Sequence, residues 1–209
     1  MKKIPSLFKR NYDGDRLVRD EIVEGCEWVL LGEGVPTEKW DGTCCLVRDH
    51  RLYKRYDRKL RKKGLSGPWT EKDFKPAPDG WEAAEHDPDL NTAHWPGWLP
   101  VGDGPEDAWH REAWITCGGT CIPGGTYELI GPKVQGNPHG FEDHALALHG
   151  SHVLTNLPKP RTFDGIREFL QGHPQMEGIV FHHVDGRMCK VKQKDLGFPW
   201  PLKARKEVS

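Results

Sequence analysis

Residues 177–194, EGIVFHHVDGRMCKVKQK, are two runs of strand-forming residues separated by Asp185-Gly186. Asp-Gly flanked by such runs is the strongest short-range signal for a β-hairpin, because the central positions of a tight type I′ turn need positive φ. A hairpin of this kind commits the chain to an antiparallel pair and to one register. A two-residue turn at Asp185-Gly186 pairs Phe181 with Lys190 and Ile179 with Lys192. Side chains alternate along a strand, so Glu177, Ile179 and Phe181 are expected to share a face with Lys190 and Lys192. A carboxylate and two ammonium groups do not suit a face buried in a core. The expectation is a face that lines a cleft; a solvent-facing hairpin with an incidental ion pair is the plainer alternative.

Elsewhere the signals are local. Residues 27–31 and 43–48 read as strands, and 51–56 reads as the partner of the second across a short Asp49-His50 turn. Residues 124–131, GGTYELIG, have strand character again. RTFDGIREFLQG reads as one helix: Thr162 as N-cap, Phe163, Ile166, Phe169 and Leu170 on one stripe, and Gly172 as the stop. With 17 Pro and 24 Gly in 209 residues, much of the chain must be irregular. Many of those residues, and several of the nine Trp, fall in 66–110, read here as a packed irregular insertion or a surface arm. The expected class is α+β, in one domain spanning 1–209.

The formal net charge is −1, which excludes a bulk polycation. Charge is nonetheless uneven. Arg48–Lys63 holds nine Lys or Arg against Asp49 and Asp57, a block that reads as facing a polyanion or as a solvated strand and helix end. The six cysteines have no disulfide-framework spacing. No apolar run reaches membrane-spanning length, and MKKIPSLFKR lacks the apolar stretch of a signal peptide. A cytoplasmic protein with no membrane association is the expectation. His139, His144, His149 and His152 lack zinc-site spacing and read as loop histidines, with His149 a candidate to pack on a nucleobase. Cys117-x-x-x-Cys121 has no second pair, and no GxxxxGK[ST] occurs.

TEKWDGTCCLV, residues 37–47, sets Lys39 two positions before Asp41-Gly42 and a β-branched and apolar run. Alone this is weak. Taken in order with Arg55 on a basic strand, Glu128 in YELIG, Glu177-Gly-Ile-Val and Lys190-Val-Lys192, it resembles the covalent nucleotidyltransferase superfamily of ATP-dependent polynucleotide ligases and capping enzymes. EKWDGTCC, DRK, DFKPAP, PGWLPV, ELIG, GNP, NLP, EGIVFHHVDG and KVKQKDLGFPWP resemble, more closely, the 5′–3′ RNA ligase family known from vertebrates. That resemblance spans Thr37 to Pro201.

What the resemblance implies is specific. The fold would be the adenylating nucleotidyltransferase fold: two packed, largely antiparallel sheets, flanking helices, the ATP cleft between them, and no appended OB domain. Lys39 would be the nucleophile that becomes lysyl-AMP, from which AMP passes to an RNA 5′-phosphate before an RNA 3′-hydroxyl displaces it. RNA repair would be the natural role. Free Lys titrates near 10.4, so cations such as Lys190 and Lys192, with desolvation, are expected to lower the pKa of Lys39. Arg55, Lys190 and Lys192 would face the triphosphate, Glu177 would suit Mg²⁺ or Mn²⁺, Glu128 would hold the ribose, and Glu38 would lie along the adenine. Asp41 would act near phosphates or metal in the later steps. A DNA ligase or capping enzyme is disfavoured because too few residues follow Lys192 for an OB domain. A non-catalytic RNA-binding module has no need of Lys39. The preferred RNA ends and the oligomeric state are left open.

Overall fold

The computed structural model describes residues 3–62, 69–90 and 92–201. Lys63 of the basic block, and residues 66–68 and 91 of the Pro/Trp-rich segment, lie outside the described residues. In chain order the strands are β1 (Phe8–Arg10), β2 (Val18–Ile22), β3 (Val35–Lys39), β4 (Thr43–Arg48), β5 (Arg51–Lys59) and β6 (Glu82–Ala83). Then come β7 (His94–Pro100), β8 (Gly125–Ile130), β9 (Ala145–Leu148), β10 (Gly178–His182) and β11 (Met188–Lys192). Two α-helices, α1 (Ala108–Thr116) and α2 (Phe163–Gly172), accompany them among the described residues. All the strand ladders are antiparallel, so the class is α+β.

The described chain forms two compact units, one built from Gly42–Val134 and Phe141–Leu148, the other from Ile4–Asp41, Gln135–Gly140 and the residues from His149 onward. The first holds a six-stranded sheet in the order β6-β7-β5-β4-β8-β9. Asp49 and His50 both have positive φ (50° and 58°) and join β4 to β5 in the two-residue turn expected of them. Cys45, Val47, Leu52, Tyr127, Leu129 and Leu146 cluster with Ala113 of α1 to form the core. Alternation then gives Cys44, Arg55 and Glu128 to the other face of the sheet.

Part of the described segment 66–110 packs onto the six-stranded sheet. Seven residues of it form β7, which pairs with β5 from Tyr53↔Pro100 to Lys59↔His94. HWPGWLP hides a strand because it carries two prolines and a glycine. Among the described residues its other side is bordered by the two residues of β6, an Ala84 N–H on the Pro96 carbonyl and an isolated bridge from Asp89 to His94, and so near an edge proline is tolerated. Gly97 is required: a Cβ there would run into the Trp81 indole. The cluster closes on Arg58, which is 3% exposed and has its guanidinium 5.0 and 5.1 Å from the ring centres of Trp81 and Trp95. Its Nε donates to the Lys75 carbonyl at 2.9 Å, and a second nitrogen meets Glu71 at 3.2 Å.

The basic block therefore does not face a polyanion as a whole. Arg58 is a core residue, Arg48 is paired with Glu82, Lys54 with Asp107 and Arg55 with Asp57. Lys59 and Lys62 point outward. Arg58→Ala should cost about 2–4 kcal/mol, as loss of a large buried side chain with two desolvated cation–π contacts. Lys59→Ala and Lys62→Ala should each stay within about 0.5 kcal/mol. Urea unfolding distinguishes the two cases, and an Arg58→Ala midpoint equal to wild type would make the cluster incidental.

In the second unit, β3, β10 and β11 form a three-stranded sheet in the order β11-β10-β3, and β1 pairs with β2. Helix α2 starts as expected, with the Thr162 hydroxyl accepting from the Gly165 N–H at 3.1 Å. Its stripe of Ile166, Phe169 and Leu170 packs in one core with Phe8, Ile179, Phe181 and Val191. Residues 27–31 do not form a strand. Glu27–Val29 is a 3₁₀ turn, because the adjacent Trp28 and Val29 are both buried while Leu31 is 76% exposed, a pattern no alternating strand gives.

The hairpin forms, but one residue out of the expected register. Its loop is Val184-Asp185-Gly186: His183 N–H donates to the Arg187 carbonyl at 2.9 Å, and Gly186 N–H donates to the His183 carbonyl at 3.0 Å. Gly186 has φ 89°, the three-residue loop in which glycine follows a type I turn. Val180 now faces Lys190 and Gly178 faces Lys192. Ile179 and Phe181 share the core face with Cys189 and Val191, all four fully buried, and the lysines take the opposite face. Core burial decided the register: the expected pairing would have driven two ammonium groups into apolar surroundings.

Candidate active site

Lys39 ends β3, and the pairing aligns Lys39, Gly178 and Lys192 in one row across three strands. The two lysines thus flank a residue with no side chain. Gly178 cannot be otherwise, since a Cβ would collide with the Val191 carbonyl and come 2.8 Å from Lys192 Cα. Glu177 precedes β10 and so escapes the strand alternation. Its carbonyl accepts from the Gln193 N–H at 2.8 Å, and its 5% exposed side chain turns to the lysine face. Oε2 meets Lys39 Nζ at 2.5 Å and Oε1 meets Lys192 Nζ at 2.8 Å. One buried carboxylate bridges two ammonium groups.

Lys39 Nζ also donates to the Trp40 carbonyl at 3.0 Å. The immediate neighbour of the Lys39 amine is thus a carboxylate, where the sequence led to an expectation of cations. Burial pushes the pKa of Lys192 down, but Glu177, with Asp195 and Asp41, outweighs it and the net direction is up. Lys190 lies two residues earlier on the same face of β11, and its backbone is bonded to Pro5 and Leu7.

Asp41 belongs to the same unit. Its N–H donates to His139 Nε2 at 2.9 Å, and its Oδ2 accepts from Trp200 Nε1 at 2.8 Å. Glu38 does not join the group: paired with Ile179, it sits on the core side of the sheet. Burial raises its pKa, against the opposing influence of His152 and His173.

Arg55 and Glu128 lie in the other unit. Glu128 Oε1 accepts from the Gly42 N–H at 3.1 Å, which ties it to the glycine of the Lys39-Trp40-Asp41-Gly42 signature. Gly42 is also required, since a Cβ would run into the Leu129 carbonyl. Arg55 Nε bonds Asp57 at 2.5 Å. Cys44, across from Glu128, has its pKa pushed up to about 12 by burial first and by Glu128 second. A thiol raised in this way stays neutral and is a poor nucleophile.

Three further residues escaped the sequence reading. Gln193 is 1% exposed and donates to the carbonyls of Leu170 and His173 at 2.7 and 3.0 Å, closing the end of α2 while its own N–H holds Glu177. His139 and Trp200 hold Asp41. The signal for Trp200 was present in KDLGFPWP, and that for His139 was lost among four histidines.

A sequence profile of RNA ligase 1 matches residues 120–208. RNA ligase 1 of Mus musculus is 33% identical over an alignment covering 97% of this chain and 79% of that protein. The Rattus norvegicus protein of the same name gives the same figures, and that of Danio rerio is 29% identical over 79% of this chain and 68% of its own. The chain belongs to the RNA ligase 1 family. The profile match takes in Glu128, His139, Glu177, Lys190, Lys192 and Trp200, while the alignments with the Mus musculus and Rattus norvegicus proteins cover 97% of the chain. Among the described residues, no helix is long and apolar enough to cross a membrane.

Proposed function

We propose that the chain is an ATP-dependent RNA ligase that joins RNA 5′-phosphate and 3′-hydroxyl ends through a lysyl-AMP on Lys39, both units belonging to one nucleotidyltransferase catalytic domain. The carrying observation is the Lys39 amine set on a buried carboxylate that it shares with Lys192. A hard condensation is split into three easier steps by covalent catalysis. The deprotonated Lys39 amine attacks the α-phosphorus of ATP, a P–N bond forms, and the P–O bond to pyrophosphate breaks. The 5′-phosphate of RNA then takes the AMP, freeing Lys39, and the 3′-hydroxyl of a second end attacks that phosphate and releases AMP.

Within this scheme Glu177 orients the Lys39 amine, and Lys192 and Lys190 supply fixed positive charge toward the phosphates. Glu177 is also the residue that would hold Mg²⁺ or Mn²⁺, which when bound supplies charge neutralisation for the triphosphate. Among the described residues, no cluster of three or more His, Cys, Asp or Glu is placed to hold a metal. A single hard oxygen donor fits Mg²⁺ all the same, an ion that keeps waters and shares substrate phosphates instead of filling a protein cage. Arg55 at the triphosphate and Glu128 at the ribose rest on the family resemblance. Nothing in the geometry supports Glu38 along the adenine. RNA repair in the cytoplasm is the role proposed with this chemistry.

Purified protein given α-labelled ATP, and separately GTP, tests the scheme. Label from ATP should survive denaturation and be discharged by RNA bearing a 5′-phosphate. Absence of label, or a preference for GTP, would overturn it.

A further inference from the structure

We propose that Trp200 is a positioning residue for Asp41 during RNA joining, assisted by His139; this rests on the ligase reading above. Asp41 is held at two points, its N–H on His139 Nε2 at 2.9 Å and its Oδ2 on the Trp200 N–H at 2.8 Å. The holding groups also brace each other. The His139 ring lies 5.2 Å from that of Trp200 and 5.0 Å from that of Trp40. Trp200 is only 6% exposed, so its N–H is fixed by packing.

The chemistry of the donor matters. An indole N–H donates, never accepts and never titrates. It fixes the orientation of the carboxylate without neutralising it, as a lysine or arginine in the same place would. Trp200 takes one of the acceptor sites on Oδ2, and the carboxylate keeps others with which to meet a ligand. Asp41 is one of the carboxylates beside Lys192 that draw the lysine's pKa upward. By the resemblance, Asp41 works after lysyl-AMP has formed, so a loosened Asp41 should slow joining more than adenylylation.

The test uses Trp200→Phe, Asp41→Asn and the double variant in two assays: lysyl-AMP formation from labelled ATP, and single-turnover joining of RNA already carrying a 5′-adenylyl group. Misplacing a reacting group by about 1 Å costs up to about 10²-fold in rate. Trp200→Phe should therefore reduce the joining rate roughly tenfold or more beyond any effect on lysyl-AMP formation, with little change in KM. In the Asp41→Asn background it should add nothing, because both changes act through one carboxylate. Trp200→His, which restores a ring N–H, should recover part of the rate and keeps the question decidable if the Phe variant folds poorly. Wild-type joining by Trp200→Phe, or effects of the two changes that multiply, would overturn the inference alone. A wild-type protein that neither labels nor joins would remove the ligase reading and this inference together.

Discussion

Glu177→Ala is expected to abolish adenylylation and to destabilise the protein by about 2–4 kcal/mol. The carboxylate is 5% exposed and takes Lys39 on one oxygen and Lys192 on the other. Removing it takes away the carboxylate that pairs with both ammonium groups flanking Gly178, leaving Lys192 only the weaker influence of Asp195 and Asp41. Breaking a buried pair by deleting one partner costs roughly 3–5 kcal/mol. The range is lowered here because the lysine side chains are 19% and 31% exposed and water reaches them. Glu177→Gln keeps the shape and one acceptor, so it should retain more stability while still losing activity. Urea titration and ATP labelling on the same samples measure both effects. A Glu177→Ala protein with the wild-type midpoint would show that the carboxylate does not hold the lysines together, and wild-type labelling would remove it from the chemistry.

Substitutions at Lys39 should separate activity from stability. Lys39→Ala leaves Glu177 paired with Lys192, so its unfolding free energy should stay within about 1 kcal/mol of wild type. Removing the nucleophile of a covalent enzyme costs on the order of 10⁶ in rate, and labelling should fall below detection. Lys39→Arg is the sharper variant. The guanidinium can keep the ion pair with Glu177 but is not deprotonated in proteins, so a folded and inactive protein is expected. Residual labelling in either variant would mean that another side chain carries the adduct.

The residues of the candidate site were more legible in the sequence than the folding that brings them together. Lys39, Glu177 and Lys192 were named from their order along the chain, and the structure brings all three together. The register of the hairpin is one residue from the expected one. Asp-Gly occurs both as the two residues of a type I′ turn and as the last two of a three-residue loop, and only the burial of Cys189 and Val191 tells them apart. Glu177 reaches the lysine face because it lies outside β10, not because it alternates with Ile179. Helix α2 was readable because cap, stripe and stop agree locally. Strand β7 was not, because its prolines are tolerated only through its place beside the short β6, which is a tertiary fact. Arg58 was misjudged for the same reason: its aromatic partners, Trp81 and Trp95, lie 23 and 37 residues further along the chain. Gly42 and Gly178, by contrast, have local explanations once the strands are paired, since each lies against a neighbouring strand's backbone carbonyl.

The most direct measurement is peptide mass mapping of the wild-type protein after incubation with ATP and Mg²⁺, followed by brief acid treatment of a second aliquot. The account predicts one adenylyl group, on the peptide containing Lys39, lost in acid as a phosphoramidate P–N bond is. An adenylyl group on any other residue, an acid-stable adduct, or no adduct in protein that still joins RNA would contradict it.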